Sequence, residues 1–160
     1  TRVVRRSNEL LNGAYGVDFR YDEGTVISKG AKGFLGANAV GAGTMAFAGL
    51  AAVPITRKLL KKFLPKPGEG PTPEAIENGH YHIELRGIHP TDPSKNMTAH
   101  VKGDKDPGYG STSKMIVESA LALAQDDLPV KGGFWTPASA MGDALLSRLP
   151  ASAGVTFEIE

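Results

Sequence analysis

Cysteine does not occur in this sequence of 160 residues. Its absence excludes a disulfide framework, a zinc site built from thiolates and a cysteine nucleophile. The same absence fits a reducing compartment, and we therefore expect a cytoplasmic protein.

Net charge and a dinucleotide fingerprint are also lacking. The 18 basic and 17 acidic side chains leave a formal charge of only +1, which argues against a nucleic-acid partner. No strand is followed by a Gly-x-Gly-x-x-Gly turn, a helix and a distal acidic residue. The sequence is therefore not expected to contain a segment that binds a dinucleotide.

The composition that is present is ordinary for one globular domain. Hydrophobic residues make up 41% and charged residues 22% of the chain, which is long enough to bury a core. We expect a single domain over residues 1–160. Because the sequence opens at Thr1, directly in a charged, strand-like run to Asn8, we interpret it as a fragment of a longer polypeptide.

One long segment, Gly33 to Thr56, carries no charge and is bounded by Lys32 and Arg57. Its length would suffice to cross a bilayer. It is mostly Ala and Gly, however, and Asn38 and Pro54 interrupt it, so its transfer into lipid is far weaker than that of a Leu-rich span.

A short basic amphipathic helix is predicted to begin at Pro54. Its apolar side would carry Ile55, Leu59, Leu60 and Phe63, and its other side the four cations Arg57, Lys58, Lys61 and Lys62. This combination is typical of a helix at an anionic lipid surface. We expect residues 33–63 to meet a lipid surface or a lipid-like substrate, the alternative being a buried helical hairpin with close-packed small residues.

Alternating apolar and polar residues predict strands near 17–22, 80–88 and 97–102, and a last strand from Val155 to Ile159. Helices are predicted near 112–125 and 137–149, the second with Thr136 as its cap and Pro137 at its first position. The predicted fold is α/β (α+β): a largely antiparallel or mixed sheet with helices packed on one face.

The stretch from Gly103 to Ser113 joins a predicted strand to a predicted helix. Its glycines would let backbone N–H groups approach an anion at the helix start. It is not a P-loop, because Tyr109 occupies the position of the lysine. The alternative is a tight turn capped by Ser111, Thr112 or Ser113.

Three histidines lie on the polar faces of the paired strands: His80, His82 and His100. A His-x-His pair with a third histidine is a recognised pattern for zinc. Matching the polar faces, however, places His100 opposite Glu84 or Arg86, a diagonal step or more from His82. We therefore predict no metal at these histidines.

Two aromatic residues stand beside predicted helix starts. Tyr109 lies between two glycines, a placement that suits a ligand contact. Trp135 precedes the cap Thr136 and would either line a cleft or anchor the helix.

Four segments together resemble one family. They are Arg6-Ser7-Asn8 with Tyr15-Gly16 and Phe19-Arg20-Tyr21; Pro67 to Pro71; Asp106 to Gly110 with Thr112 and Lys114-Met115; and Gly132 to Ala138 through Ala140 to Leu145. In order and approximate spacing they are similar to the C-terminal half of saccharopine dehydrogenase-like oxidoreductases, a family that includes the trans-acting enoyl reductases of lipid synthesis.

The resemblance implies the C-terminal substrate domain of a two-domain dehydrogenase. An N-terminal Rossmann domain, outside this sequence, would bind NAD or NADP and would be the partner of this domain, and no cofactor is expected on this chain. The implied walls of the cleft between the domains are Asp106, Gly108, Tyr109, Gly110 and Ser111 on one side and Trp135, Thr136 and Pro137 on the other. No catalytic residue is identified.

The resemblance implies a small-molecule substrate and permits a lipidic one. Two alternatives are a module that binds a membrane or lipid surface, with peripheral membrane contact, and a structural domain that forms a homodimer.

Overall fold

The computed structural model describes residues 1–66 and 68–160. It divides the chain into two compact units. Unit 1 contains Thr1–Tyr21 and Pro71–Glu160, and unit 2 contains Asp22–Gly70. Along the sequence, unit 2 is inserted between the two parts of unit 1. That residues 1–160 belong to a single domain stays a prediction.

Unit 1 is built on a three-stranded antiparallel sheet. Its strands are β1 (Tyr81–Gly87), β2 (Met97–Gly103) and β3 (Val155–Ile159), in the order β1-β2-β3. Together with the helices this gives an α+β fold, which confirms the predicted fold class and three of the predicted strands.

The strand register separates an apolar face from a polar face. Ile83, Val101 and Phe157 are aligned across the three strands, whereas Glu84, His100 and Glu158 are aligned one residue further along. Because side chains alternate between the faces of a sheet, the first set shares a face with Tyr81 and Val155.

The helices of unit 1 are α1 (Arg2–Leu10), α4 (Pro73–Asn78), α5 (Gly110–Gln125) and α6 (Pro137–Arg148), and those of unit 2 are α2 (Gly30–Ala52) and α3 (Pro54–Leu60). A 3₁₀ turn covers Pro93–Lys95 and a π-helical turn covers Leu149–Ala153. Gly154 follows with φ of 69°, a left-handed conformation that glycine adopts easily, and leads into β3.

The core of unit 1 is small and lies beneath α5 and α6. Ala122, Ala140 and Met141 form one buried cluster, and Leu149, Ala153 and Val155 form a second against the sheet. Val101 and Met115 pack on the second cluster. The predicted packing of helices on one face of the sheet is therefore observed for α5 and the π-helical turn.

An ion-pair network ties the two long helices of unit 1 together. Arg148 at the end of α6 donates from Nε and Nη2 to both carboxylate oxygens of Asp126, at 2.8 and 2.6 Å. Its Nη1 reaches Glu118 Oε2 on α5 at 3.2 Å. The guanidinium holds the pKa of Asp126 below its usual value, first of all through the hydrogen bond.

Two predictions for the N-terminal region are wrong. Residues 17–22 are not a strand, and the strand-like run to Asn8 is helix α1. Alternation alone does not form a strand, because backbone groups need a partner and one apolar face needs cover. Val17 is 99% exposed and lies in a turn.

Of the two hydroxyl caps predicted for α5 and α6, one is confirmed and the other is wrong. Thr136 caps α6, as predicted, and its side chain accepts from Ser139 N while Ser139 Oγ accepts from Thr136 N. Helix α5 begins at Gly110, so Ser111, Thr112 and Ser113 lie inside it and do not cap it. The hydroxyl cap predicted there is therefore wrong.

Unit 2 consists largely of α2 and α3, and α3 begins at Pro54 as predicted. Helix α2 has 23 residues, of which only Gly33 is buried, and it is long and apolar enough to cross a membrane. The described residues do not bury α2. That residues 33–63 meet lipid stays a prediction, as does the alternative of a buried hairpin. Helix α3 ends at Leu60, and Lys61 and Lys62 follow it in a turn.

Candidate functional site

An open hollow of about 460 Å³ lies over the apolar face of the sheet. Its size is within the range of small-molecule sites. Every residue that lines it is apolar or aromatic: Tyr81, Ile83, Val101, Pro107, Met115, Leu149, Val155 and Phe157. Such a lining suits a hydrocarbon portion of a ligand, because it offers apolar area without charge.

Strand geometry explains why this hollow is apolar. Ile83, Val101 and Phe157 face the same side because they are paired across three strands. The covering helix α5 contributes Met115, a flexible side chain that adapts to irregular ligands. Ile83 remains 52% exposed and Phe157 38% exposed, so part of the face is uncovered in this chain.

Tyr81 lines this hollow and lies over Gly103 on the paired strand. A Cβ atom at Gly103 would be 2.0 Å from the tyrosine ring, so the close approach requires glycine. The phenol oxygen lies 3.1 Å from the hydroxyl of Ser111, which is completely buried, and contacts the sulfur of Met115. This contact fixes the Tyr81 ring against the start of α5.

The predicted site residues from Asp106 to Ser111 form a tightly bonded turn. Asp106 Oδ2 accepts from Tyr109 N at 2.7 Å, and Asp106 O accepts from Ser111 N at 2.8 Å. A Cβ at Gly108 would lie 3.2 Å from the Asp106 carboxylate, and one at Gly110 would lie 2.9 Å from Lys105 Cβ. Asp106 Oδ2 and O are thus engaged by the turn itself, while Tyr109 is 58% exposed.

The predicted site residues Trp135, Thr136 and Pro137 line a different hollow, of about 510 Å³, beside α5 and α6. Trp135 Nε1 donates to Lys131 O at 2.8 Å. Thr136 Oγ1 lies 2.7 Å from the hydroxyl of Ser7 on α1 and 2.9 Å from that of Ser139. Thr136 is therefore a buried structural junction between α1 and α6.

The structure does not bring the two predicted groups of cleft residues into one hollow. Pro107, within the first turn, borders the hollow over the sheet, whereas Trp135 to Pro137 border the second. Both hollows lie within unit 1. The four predicted lipid-surface cations belong to unit 2 and are described with it below.

The polar face of the sheet holds His82 and His100, whereas His80 precedes β1. His100 is paired with Glu84, which confirms the predicted register, and His82 is diagonal to it. The diagonal step still allows contact: His82 Nε2 and His100 Nδ1 are 2.9 Å apart. Among residues 1–66 and 68–160, no group of three potential ligands suitable for a metal is found. That no metal binds here stays a prediction.

Charged pairs cover the rest of this polar face. Lys102 Nζ lies 2.6 Å from Glu158 Oε2 and lowers the pKa of that carboxyl through the hydrogen bond and the charge. Arg86 lowers the pKa of Glu84 in the same way. Because these ion pairs lie on the exposed surface of the sheet, we interpret this face as a solvated surface and not as a catalytic site.

Sequence reasoning missed the contact of Ser7 with Thr136 and the hollow formed by Tyr81, Ile83 and Phe157. The strand alternation already placed the last three on one face, and the missing information was the β2–β3 pairing that aligns them. Ser7 belongs to one of the segments that carry the resemblance, but no local pattern indicated its partner Thr136, which lies 129 positions away.

The chain is homologous to proteins named as trans-acting enoyl reductases. It is 44% identical over 167 residues to a provisionally named one from Mycobacterium tuberculosis (strain ATCC 25618 / H37Rv), with 99% of this chain and 38% of the relative covered. It is 41% identical over 162 residues to one from Mycobacterium bovis (strain BCG / Pasteur 1173P2), covering 98% and 38%. For one from Mycobacterium ulcerans (strain Agy99) the identity is 39% over 155 residues, covering 94% and 36%.

The chain thus spans less than two fifths of the length of these curated relatives. No model of a protein family matches it, and no solved structure matches it. The relatives are longer than this chain. The chain is therefore similar to one part of a larger oxidoreductase.

Proposed function

We propose that this chain is the substrate-binding part of a larger enoyl reductase that reduces a carbon–carbon double bond in an acyl substrate. The observation that carries the proposal is 41 to 44% identity, across almost the whole chain, to proteins with that name. The finer resemblance to saccharopine dehydrogenase-like oxidoreductases belongs to the same proposal. It rests on the Asp106 to Gly110 and Gly132 to Ala138 segments.

A nicotinamide cofactor, NAD or NADP, would supply the hydride for such a reduction. The described residues do not fit a dinucleotide. Their sheet is antiparallel, whereas a dinucleotide fold needs parallel strands with a Gly-rich turn at a helix start. We therefore assign cofactor binding to a Rossmann domain outside this sequence and derive no step through the cofactor here.

The part assigned to this chain is to hold the apolar portion of the substrate in the hollow over the sheet. Ile83, Val101 and Phe157 provide a flat apolar floor, and Met115 provides an adaptable wall. The hollow, of about 460 Å³, would hold a hydrocarbon segment, and its apolar lining would exclude water from that segment. The proposed location is the cytoplasm.

The binding part of the proposal is tested with a long-chain 2-enoyl thioester and the purified chain. Ile83→Glu would place a carboxylate in the floor of the hollow, at a position that is already half exposed. We expect binding about tenfold weaker or more, from the lost apolar contact. Ile88→Glu is the matched control, because Ile88 is 76% exposed and does not line the hollow.

Activity is tested on the natural gene product that contains this chain. Oxidation of reduced nicotinamide that depends on the 2-enoyl thioester, and that Ile83→Glu slows while Ile88→Glu does not, supports the proposal. A gene product that binds neither nicotinamide nor acyl thioester would refute it. A tight dimer with neither activity would favour a structural domain.

A further inference from the structure

The part of unit 2 from Gly24 to Gly68 carries charge of one sign around an exposed apolar helix, and the acidic residues of unit 2, Asp22, Glu23 and Glu69, lie at its two ends. From Gly24 to Gly68 the sequence has seven cations, Lys29, Lys32, Arg57, Lys58, Lys61, Lys62 and Lys66, and no acidic residue. The chain as a whole is nearly neutral. The positive charge is thus concentrated at the two ends of α2, where it is complementary to an anionic surface.

Helix α2 is apolar on all its sides and exposed along its length. Its apolar residues do not form a single stripe, and Phe34, Leu35 and Met45 are each about 70% exposed or more. A helix that is hydrophobic all round is expected either in a protein core or in lipid. The described residues provide no such core for it.

Each polar side chain of the uncharged segment donates a hydrogen bond within the segment itself. Asn38 Nδ2 donates to Phe34 O at 2.7 Å, and Thr44 Oγ1 donates to Val40 O at 2.8 Å. The hydroxyl of Thr56 donates to the carbonyls of Leu50 and Val53. These are all the polar side chains between Gly33 and Thr56, and each donates to a carbonyl of the segment, which lowers the cost of placing it in the interior of a bilayer.

The topology of unit 1 excludes a simple transmembrane span. The chain enters unit 2 from Tyr21 and returns at Pro71, and both flanks belong to unit 1. Ser7 before the insertion and Thr136 after it share a buried hydrogen bond of 2.7 Å. A single crossing would separate these two parts of one unit, and residues 57–70 are too basic and proline-rich to cross back.

From these observations we propose that α2 inserts into one leaflet of an anionic lipid bilayer without crossing it. The helix, about 34 Å long, lies in the leaflet. The cations of α3 and the turn after it contact the headgroups. The inference does not depend on the proposed reductase activity.

The charge part is tested by flotation of the full chain with vesicles of phosphatidylglycerol and phosphatidylcholine. Changing Arg57, Lys58, Lys61 and Lys62 to Gln should weaken partition on the order of a hundredfold at low salt. The matched control changes Arg2, Arg5, Arg20 and Lys131 to Gln, which removes the same charge from exposed positions of unit 1. Equal weakening by the control would overturn the assignment to unit 2.

The apolar part is tested by Leu35→Asp with Met45→Asp, which should abolish vesicle binding although every cation is retained. Val17→Asp with Phe134→Asp is its control, since both side chains are more than 95% exposed and lie in unit 1. A second copy of the chain is the competing occupant. If the lipid-free chain forms a dimer that the first pair breaks, and the wild type does not bind vesicles, the proposal is wrong.

The geometry in the bilayer is tested with single cysteines. Because the sequence has no cysteine of its own, only the introduced thiol can be labelled. With the chain added outside sealed vesicles, a membrane-impermeant thiol reagent should label Thr25→Cys and Lys66→Cys, on either side of the inserted segment. It should not label Met45→Cys in the middle of α2. Protection of one flank would show a span, and labelling of Met45→Cys at its lipid-free rate would show no insertion. Either result would overturn the proposal.

Discussion

Thr136 couples local helix capping to a long-range contact. Its side chain accepts from the backbone of Ser139, as an ordinary N-cap does, and it also contacts the hydroxyl of Ser7 on α1. Ser7 Oγ in turn donates to Val3 O at 3.0 Å. A residue predicted to border a cleft is therefore needed for the fold, and substitutions there are expected to affect stability before function.

Thr136→Ala should lower the free energy of unfolding by about 2 kcal/mol, because it removes an N-cap and leaves buried hydroxyls with fewer partners. Urea denaturation followed by the fluorescence of Trp135 would measure the change. Thr25→Ala, at an exposed position of unit 2, is the control and should leave the curve unchanged. An unchanged midpoint for Thr136→Ala would contradict the role of this junction.

Gly103 illustrates a packing requirement at the proposed acyl site. Gly103→Ala would press a Cβ into the Tyr81 ring and should destabilise the chain by about 1 to 3 kcal/mol. Gly87→Ala, at the end of β1, is the control, since its Cβ would meet only Met97 O at 3.7 Å. If the clash is the cause, adding Gly103→Ala to Tyr81→Ala should cost much less than adding it to the wild type. Thermal melts of the four variants and the wild type would decide.

At the scale of elements, the helices and strands were predicted well where local signals and long-range packing agree. Thr136-Pro137 gave the start of α6 because a cap followed by proline acts locally. The strands β1, β2 and β3 were recognised because alternation coincides with real pairing. Residues 17–22 show the same alternation and form no strand, since pairing depends on residues elsewhere in the chain.

The start of α5 and the candidate hollow depended on information that the sequence does not carry locally. The predicted hydroxyl caps were overridden because Asp106 accepts from Tyr109 N and moves the helix start to Gly110. The resemblance pointed to the turn from Asp106 to Ser111, whose role as a site stays a prediction. The apolar floor of Ile83, Val101 and Phe157 needed the β2–β3 register. Exposure of α2 could not be derived from its composition, which fits a buried helix equally well.

The junction of α5 and α6 predicts how stability depends on pH. The pKa of Asp126 is lowered in the folded chain by its hydrogen bond with Arg148. A carboxyl with a lowered folded pKa adds stability above its unfolded pKa, and this is lost as the pH falls through the folded pKa. The loss should therefore begin near pH 4 and continue below it.

Arg148→Met should lower the melting temperature at neutral pH, and the difference from the wild type should narrow as the pH falls below about 4. Arg86→Met is the control, because Arg86 pairs with Glu84 on the same exposed strand and joins no two elements. A constant difference between Arg148→Met and the wild type from neutral to acid pH would contradict this assignment.

For the whole molecule, the division into two units predicts that unit 1 can fold without unit 2. The sheet, both buried clusters, the Ser7–Thr136 contact and the Arg148 network are all formed by residues of unit 1. Replacing residues 22–70 by a flexible Gly/Ser linker should therefore leave the near-ultraviolet circular dichroism of Trp135 and a cooperative thermal transition. Substrate binding in the hollow, which unit 1 alone lines, should also remain.

Vesicle binding should disappear, because the exposed helix α2 and its cations are gone. A deletion variant that still floats with anionic vesicles would assign lipid contact to unit 1, and one that loses its cooperative transition would show that unit 1 depends on unit 2 for its fold.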